Sequence, residues 1–279
     1  MTAAAIRPPA ARPTAMSRIG RYRWYLPAIA VFIATIALWE FAVTNIDIAA
    51  FPLPAPSEIA SALVANWSNG RWPLSKAAFA TLYEAMGGLA IGTVAGVLVS
   101  GLTSRFALAR DALLPLAIGA SAVPIIAFAP LMNNWFGVLS PLSKMMIVAV
   151  LVFFPVVVNV TRGLTQVEPA ALELMRSYAA SDWTILRTVR IPNALPYFFT
   201  ALKIGTTLSL IGAIVGEYFG GSNDVLGRVV VQSASALRFD VTWAAIVLGA
   251  ATGIVLYLAV VAVERVMIPW HASVRATEP

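Results

Sequence analysis

Residues Glu168 to Pro196, EPAALELMRSYAASDWTILRTVRIPNALP, form the one long polar passage between hydrophobic spans, with charges interleaved among apolar residues rather than gathered into a tail. Leu172, Met175, Tyr178 and Ala179 recur at helical spacing while Glu173 and Arg176 turn elsewhere, a pattern that predicts a short amphipathic helix ending near Ala180. Ser181 reads as an N-cap, and with Asp182 in the first turn it starts a second helix through Ile185, Leu186 and Val189. Pro192 is expected to stop that helix, because proline disfavours the helical conformation at the residue before it. Two short helices joined by a turn, set between membrane spans on the basic side of the membrane, suit a docking surface better than a pore wall.

The rest of the chain makes the membrane setting plain. Of 279 residues 59% are hydrophobic and 11% charged, and the mean hydropathy is +0.82; a soluble globule carries about a quarter charged residues. The absence of cysteine removes disulfides and thiolate chemistry, and a single histidine, His271, leaves no material for a zinc site or a Ser/His/Asp triad. A net charge of +6 could suggest nucleic acid. The basic residues argue against it, because they fall in loops that alternate with apolar runs, as the positive-inside rule expects.

Taken in order, residues 1–21 are a basic arm expected to be disordered and cytoplasmic, with Arg7, Arg12, Arg18 and Arg21 and no acid. A domain of six spans follows over 22–266. The first, about Tyr25 to Val43, is close to the ~20 residues that cross a bilayer core, and Glu40 near its outer end can reach water or a partner helix. Ser57 is expected to cap a short interfacial helix with Glu58 in its first turn and Ile59, Leu63, Val64 and Trp67 on one face. The second span, Phe79 to Leu102, carries Gly88, Gly92 and Gly96 at the four-residue spacing that lets backbones approach closely. The third, Leu113 to Leu131, is broken by Pro115, Pro124 and Pro130 and reads as a pathway-lining helix. Met132 to Lys144 reads as an outer turn, Met145 to Val160 as the fourth span and 164–196 as the docking loop. Tyr197 to Val215 is the fifth span, residues 216–240 a polar outer segment, Val241 to Val263 the sixth span and 267–279 a cytoplasmic tail. With both termini inside, thirteen of the nineteen Lys and Arg fall on the cytoplasmic side, five outside and Lys203 within a span. The skew supports this orientation.

The docking loop resembles that of the permease subunits of bacterial binding-protein-dependent ABC importers. Their pattern is Glu-Ala-Ala, three residues, Gly, then some nine residues and Ile-x-Leu-Pro. Glu173 matches the acid, Leu174 and Met175 replace the alanines, Ala179 stands at the glycine, and Val189, Ile191 and Pro192 match the closing residues. LPAPSEI (53–59), VPIIAFAPL (123–131), WFG (135–137) and GEYFGG (216–221) extend the likeness over most of the chain, toward the subgroup that imports nitrate, alkanesulfonates, taurine, thiamine-precursor pyrimidines or flavins. The resemblance implies an all-α permease with cytoplasmic coupling helices, working as a dimer, most simply of two copies of this chain. It also implies two partners, a separate ATPase and an external solute-binding protein. No GxxxxGK[ST] occurs, so ATP would be bound by the partner subunit.

On this reading Glu173, Tyr178, Ala179, Trp183, Leu186, Ile191 and Pro192 seat the ATPase, the bland alternative being an ordinary connection. Asn133, Asn134, Trp135, Glu217 and Tyr218 are candidates for the solute path. Glu217 follows an apolar span, where a charge is costly enough to mark function, although a solvated or helix-capping carboxylate fits as well. Glu84 and Lys203 could face the path, pair with one another or pack in the dimer. An ion-driven secondary transporter is the rival from another class, and it would call for relays of buried acids or histidines.

Overall fold

The computed structural model describes residues 26–45, 53–120 and 124–269. The N-terminal arm, the tail beyond Pro269 and His271 lie outside them. Among the described residues every regular element is helical: α1 (Leu26–Asn45), α2 (Pro56–Ala65), α3 (Leu74–Arg105), α4 (Ala107–Ala120), α5 (Ile125–Phe136), α6 (Pro141–Thr165), α7 (Pro169–Ser177), α8 (Asp182–Ile185), a π-turn at Leu186–Arg190, α9 (Ile191–Phe219), α10 (Leu226–Ser235) and α11 (Phe239–Met267). Among the described residues five continuous helical stretches are long and apolar enough to cross a membrane: α1, α3, α6, the run from α8 through α9, and α11.

The centre is a three-helix unit of α3, α6 and α9, sharing a core of Ala85, Leu89, Val148, Val152, Val156, Ala201, Leu210 and Ala213. In lipid the apolar side chains gain little by leaving the solvent, so association rests on close packing. The glycine stripe of α3 supplies it. A Cβ at Gly88 would lie 2.4 Å from the Val148 Cβ, and one at Gly92 would lie 2.5 Å from the Ala149 carbonyl oxygen. Ser100 and Thr103 continue the stripe, bonding the Val157 carbonyl at 3.2 Å and the Thr161 hydroxyl at 3.1 Å. These pairings advance together along both chains, so α3 and α6 run the same way, and α9 returns between them.

The third span departs from a single helix. It is divided into α4 and α5, with Pro124 as the N-cap of α5, because a proline supplies no N–H to the preceding turn and biases its predecessor away from helix. Together the two pieces carry the chain from the Arg105 end to the Pro141 end, where Ala129 and Met132 pack on Ile147. The turn expected over Met132 to Lys144 is shorter than predicted. α5 continues to Phe136, and Ser140 caps α6 by accepting from the Leu142 N–H at 3.2 Å, with Pro141 at the first helical position. Lys144 therefore lies inside α6 rather than in a turn.

At the α2 end, the N-cap is Ala55, not Ser57, and the Glu58 carboxylate accepts from the Ala55 N–H at 3.0 Å. Ser57 instead donates through its backbone N–H and hydroxyl to Glu40, at 3.0 and 2.7 Å, tying α1 to α2. Ile59 and Ala62 form the buried face of α2, whereas Val64 and Trp67 are exposed. The segment 216–240 is not simply polar coil. α9 runs on to Phe219, and α10 packs Leu226 and Val229 against Val241 and Ala245 of α11. Lys203 pairs with Glu264 at 2.9 Å, not with Glu84, and so joins α9 to α11 within the bundle.

Candidate functional site

Two places concentrate the polar chemistry. The first is segment 164–196, at the Arg105 end, which the sequence reading expects to dock a partner. α7 begins at Pro169 and ends with a tight turn in which the Ala180 N–H reaches the Met175 carbonyl at 3.0 Å and the Ala179 N–H the Arg176 carbonyl at 2.9 Å. That turn requires a left-handed residue, and Ala179 provides it with φ of 49°, a conformation in which a Cβ costs roughly 1–2 kcal/mol. Ser181 then caps α8, its hydroxyl oxygen accepting from the Thr184 N–H at 3.3 Å, as its sequence predicts.

Pro192 does not stop the second helix. The Ile191 N–H bonds the Leu186 carbonyl, five residues back, and the π-turn so formed lets the helix run on into α9. The loop is anchored at its base by Asn193, whose side-chain amide donates to the carbonyls of Gly163 at 2.7 Å and Gln166 at 3.2 Å. Those are carbonyls at the end of α6, where helices leave acceptors without partners. Only the position of an amide between two prolines hinted at this role.

Among the sequence-predicted docking residues, the side chains divide. Tyr178 is 77% exposed and Trp183 68%, and Leu174 joins them at 56%. Glu173 and Ala179 are also exposed. Leu186 is half-buried and packs against the bundle core, and Ile185 is buried. Ile191 is exposed and Pro192 half-buried at the root of α9. Arg105 of α3 reaches Asp182 on this surface at 3.5 Å, between exposed side chains, a pair that contributes at most about 1 kcal/mol.

The second place is a buried cluster at the opposite end, which sequence reasoning saw only in part. Glu217 is 0% exposed, so it is not a solvated interfacial carboxylate. One of its oxygens accepts from the Gly227 N–H at 2.6 Å, and the Thr81 hydroxyl oxygen accepts from the Leu226 N–H at 3.0 Å. Two of the donors left open at the start of α10 are thereby satisfied. Gly227 makes this approach possible: a Cβ there would lie 2.7 Å from the Cβ of Glu217 and 2.6 Å from the Ile214 carbonyl oxygen. Glu84 of α3 lies against Glu217, and the Lys144 ammonium faces both carboxyl groups.

Lys144 itself is 0% exposed. It donates to the Asn133 side-chain oxygen at 3.3 Å and to the Val138 carbonyl. Glu84 Oε2 and Glu217 Oε1 are buried with no hydrogen-bond donor. Of the predicted path residues, then, Asn133 and Glu217 meet in this cluster. Asn134, Trp135 and Tyr218 are exposed and outside it. The signal for Lys144 was Ser140-Pro141, a cap followed by a first-turn proline, which starts the helix one turn ahead of the lysine.

Residues 88–269 match the family of binding-protein-dependent transport system inner membrane components. The chain is 28% identical to the riboflavin transport system permease protein of Chloroflexus aurantiacus, over 91% of this chain and 93% of that one. It is 30% identical to the formylaminopyrimidine transport permease protein of Halalkalibacterium halodurans, over 86% and 94% respectively. Similarity to the taurine transport system permease protein of Escherichia coli, 31%, covers 55% of each chain.

Proposed function

The chain belongs to the family of binding-protein-dependent transport system inner membrane components, a permease of ABC importers, and from that premise we propose how its parts divide the work. The docking segment 164–196 faces the cytoplasm and seats a separate ATPase subunit, with Tyr178 and Trp183 as anchors and Glu173 beside them. The observation that carries this is the exposure of Leu174, Tyr178 and Trp183 on one short polar segment beyond the ends of the spans. Large apolar side chains presented to water in this way mark an interaction surface. Membership in the family sets aside the secondary transporter.

On this account the chain crosses the membrane six times, α4 and α5 making one divided crossing, with both termini inside. Two copies form the path and receive solute from an external binding protein. ATP-driven closure of the ATPases displaces α7 and α8, and the continuous helix from α8 through the π-turn into α9 transmits that displacement to the spans. The solute is a small heteroaromatic vitamin precursor, such as a pyrimidine or riboflavin. Exposed Trp135, Tyr218 and Phe219 can stack on a flat ring, and the arginines of the crossing helices stand near their ends, Arg105, Arg162 and Arg265 in last turns, Arg110 in the first turn of α4, and Arg187 and Arg190 in the π-turn before α9. An oxyanion would be better served by a guanidinium at mid-depth. Alkanesulfonate, taurine or nitrate is the second reading, favoured by the likeness to the taurine permease protein. Uptake of radiolabelled candidates into cells carrying the whole complex decides between them. ATP-dependent uptake of a pyrimidine or riboflavin is the result expected, and robust uptake of taurine or nitrate with none of these would select the second reading.

A further inference from the structure

Between the docking segment and the ends of α3, α6 and α9 lies a cavity of about 960 Å³ that the account above leaves unused. Its mouth and its depth differ in chemistry. At the mouth stand Arg105, Arg176 and Arg190, with Asp182 the single acid in the lining. Arg105 is shared with Asp182 at 3.5 Å. The guanidinium groups of Arg176 and Arg190 have no ion-pair or hydrogen-bond partner among the described residues, although Arg190 is half-buried. A guanidinium held partly out of water without an acid is a vacancy for an anion.

The depth is apolar. Val97, Leu195 and Phe198 wall it, and Val97 lies eight residues up α3 from Arg105, about 12 Å along the helix axis. Gly101 stands between them, where an added Cβ would meet nothing within 4 Å. The cavity is therefore a slot parallel to the spans, cationic where it reaches the membrane surface and greasy toward the bilayer centre.

We propose that this slot holds one anionic phospholipid of the inner leaflet, its phosphate between Arg105, Arg176 and Arg190 and an acyl chain in the groove over Gly101. The orientation rests on the cytoplasmic placement of the docking segment proposed above. Charge excludes the basic N-terminal arm as occupant, and the apolar lining of Val97, Leu195 and Phe198 suits an acyl chain better than the polar surface of a folded ATPase. Basic pockets between helices at the cytoplasmic face suit phospholipid head groups, each arginine near the surface contributing about 1 kcal/mol. Because α7, α8 and α9 all line the slot, a lipid there would brace the docking segment against the bundle.

The test is native mass spectrometry of the purified permease–ATPase complex, loaded from micelles holding equal phosphatidylglycerol and phosphatidylcholine, with inorganic phosphate added in a parallel sample. Retention of one phosphatidylglycerol per permease chain is expected, undiminished by phosphate. The Arg176→Gln/Arg190→Gln variant should lower that retention roughly 10- to 30-fold. Gly101→Leu, which fills open space without touching a charge, should do the same. Equal retention of the two lipids, displacement by inorganic phosphate, or unchanged retention in both variants would overturn the proposal. Loss of the ATPase from the arginine variant with its lipid intact would assign those arginines to the ATPase instead. Failure of the wild-type chain to hold any ATPase would count against the proposed function while leaving the lipid count to be read separately.

Discussion

Lys144→Met removes the one cation from the buried cluster and leaves the Glu84 and Glu217 carboxyl groups facing each other in an apolar setting. Methionine fills nearly the same volume, so no cavity forms and the change isolates the charge. The lysine is fully buried, and one oxygen of each carboxyl group is buried without a donor. Losing the ammonium leaves the Val138 carbonyl and the Asn133 side-chain oxygen buried without their donor, and each orphaned acceptor costs roughly 1–3 kcal/mol. Unfolding in mixed micelles by SDS titration should therefore show a loss of at least about 2 kcal/mol. Glu84→Gln is the discriminating companion, because its amide can donate to the donor-less oxygen of Glu217 while keeping the shape. That variant should be within about 1 kcal/mol of the wild type. If Lys144→Met were as stable as the wild type, or if Glu84→Gln were the more damaging change, the cluster would not be held together by Lys144 as described.

Three further outcomes are expected. Ala179→Gly should stabilise the chain by about 0.5–1 kcal/mol, the relief of left-handed strain outweighing the greater backbone freedom of glycine, and should slow limited proteolysis between α7 and α8; a loss of stability would refute the strain. Gly88→Ala should cost about 1–3 kcal/mol in the same titration, and Val148→Ala should not rescue it, since the clash is with the Val148 Cβ and the Met145 carbonyl oxygen at 2.5 Å. In the cysteine-free background, single cysteines replacing exposed Ser68 and Asn223 should react with an impermeant thiol reagent from outside intact cells and one replacing Ser181 should not; labelling at Ser181 would reverse the orientation.

What the sequence made legible is what is written in local pattern. The spacing of Leu172 and Met175, the Ser181 cap and the glycine stripe of α3 each depend on residues within a turn or two. The cluster was half legible: an acid after an apolar span pointed to Glu217, but Lys144 looked like one more outer cation because Ser140-Pro141 reads as readily as a turn as a helix start. Its partners come from α3, α5 and α9, and no local pattern brings them together. Lys203 and Glu264, 61 residues apart, meet only through the register of α9 on α11. Pro192 misled for a different reason. The rule that proline ends a helix assumes α-helical hydrogen bonding, and a π-turn removes the conflict by moving the bond one residue back.

The most direct test of the central claim, that this chain is a permease driven through the 164–196 segment by a separate ATPase, is site-specific photocrosslinking in the assembled complex. Benzoylphenylalanine replaces exposed Tyr178 in one sample and exposed Asn223, at the opposite end of the bundle, in another. Irradiation should join the ATPase polypeptide to the chain labelled at 178 and leave the chain labelled at 223 free of it. An ATPase adduct from 223 with none from 178 would contradict the account.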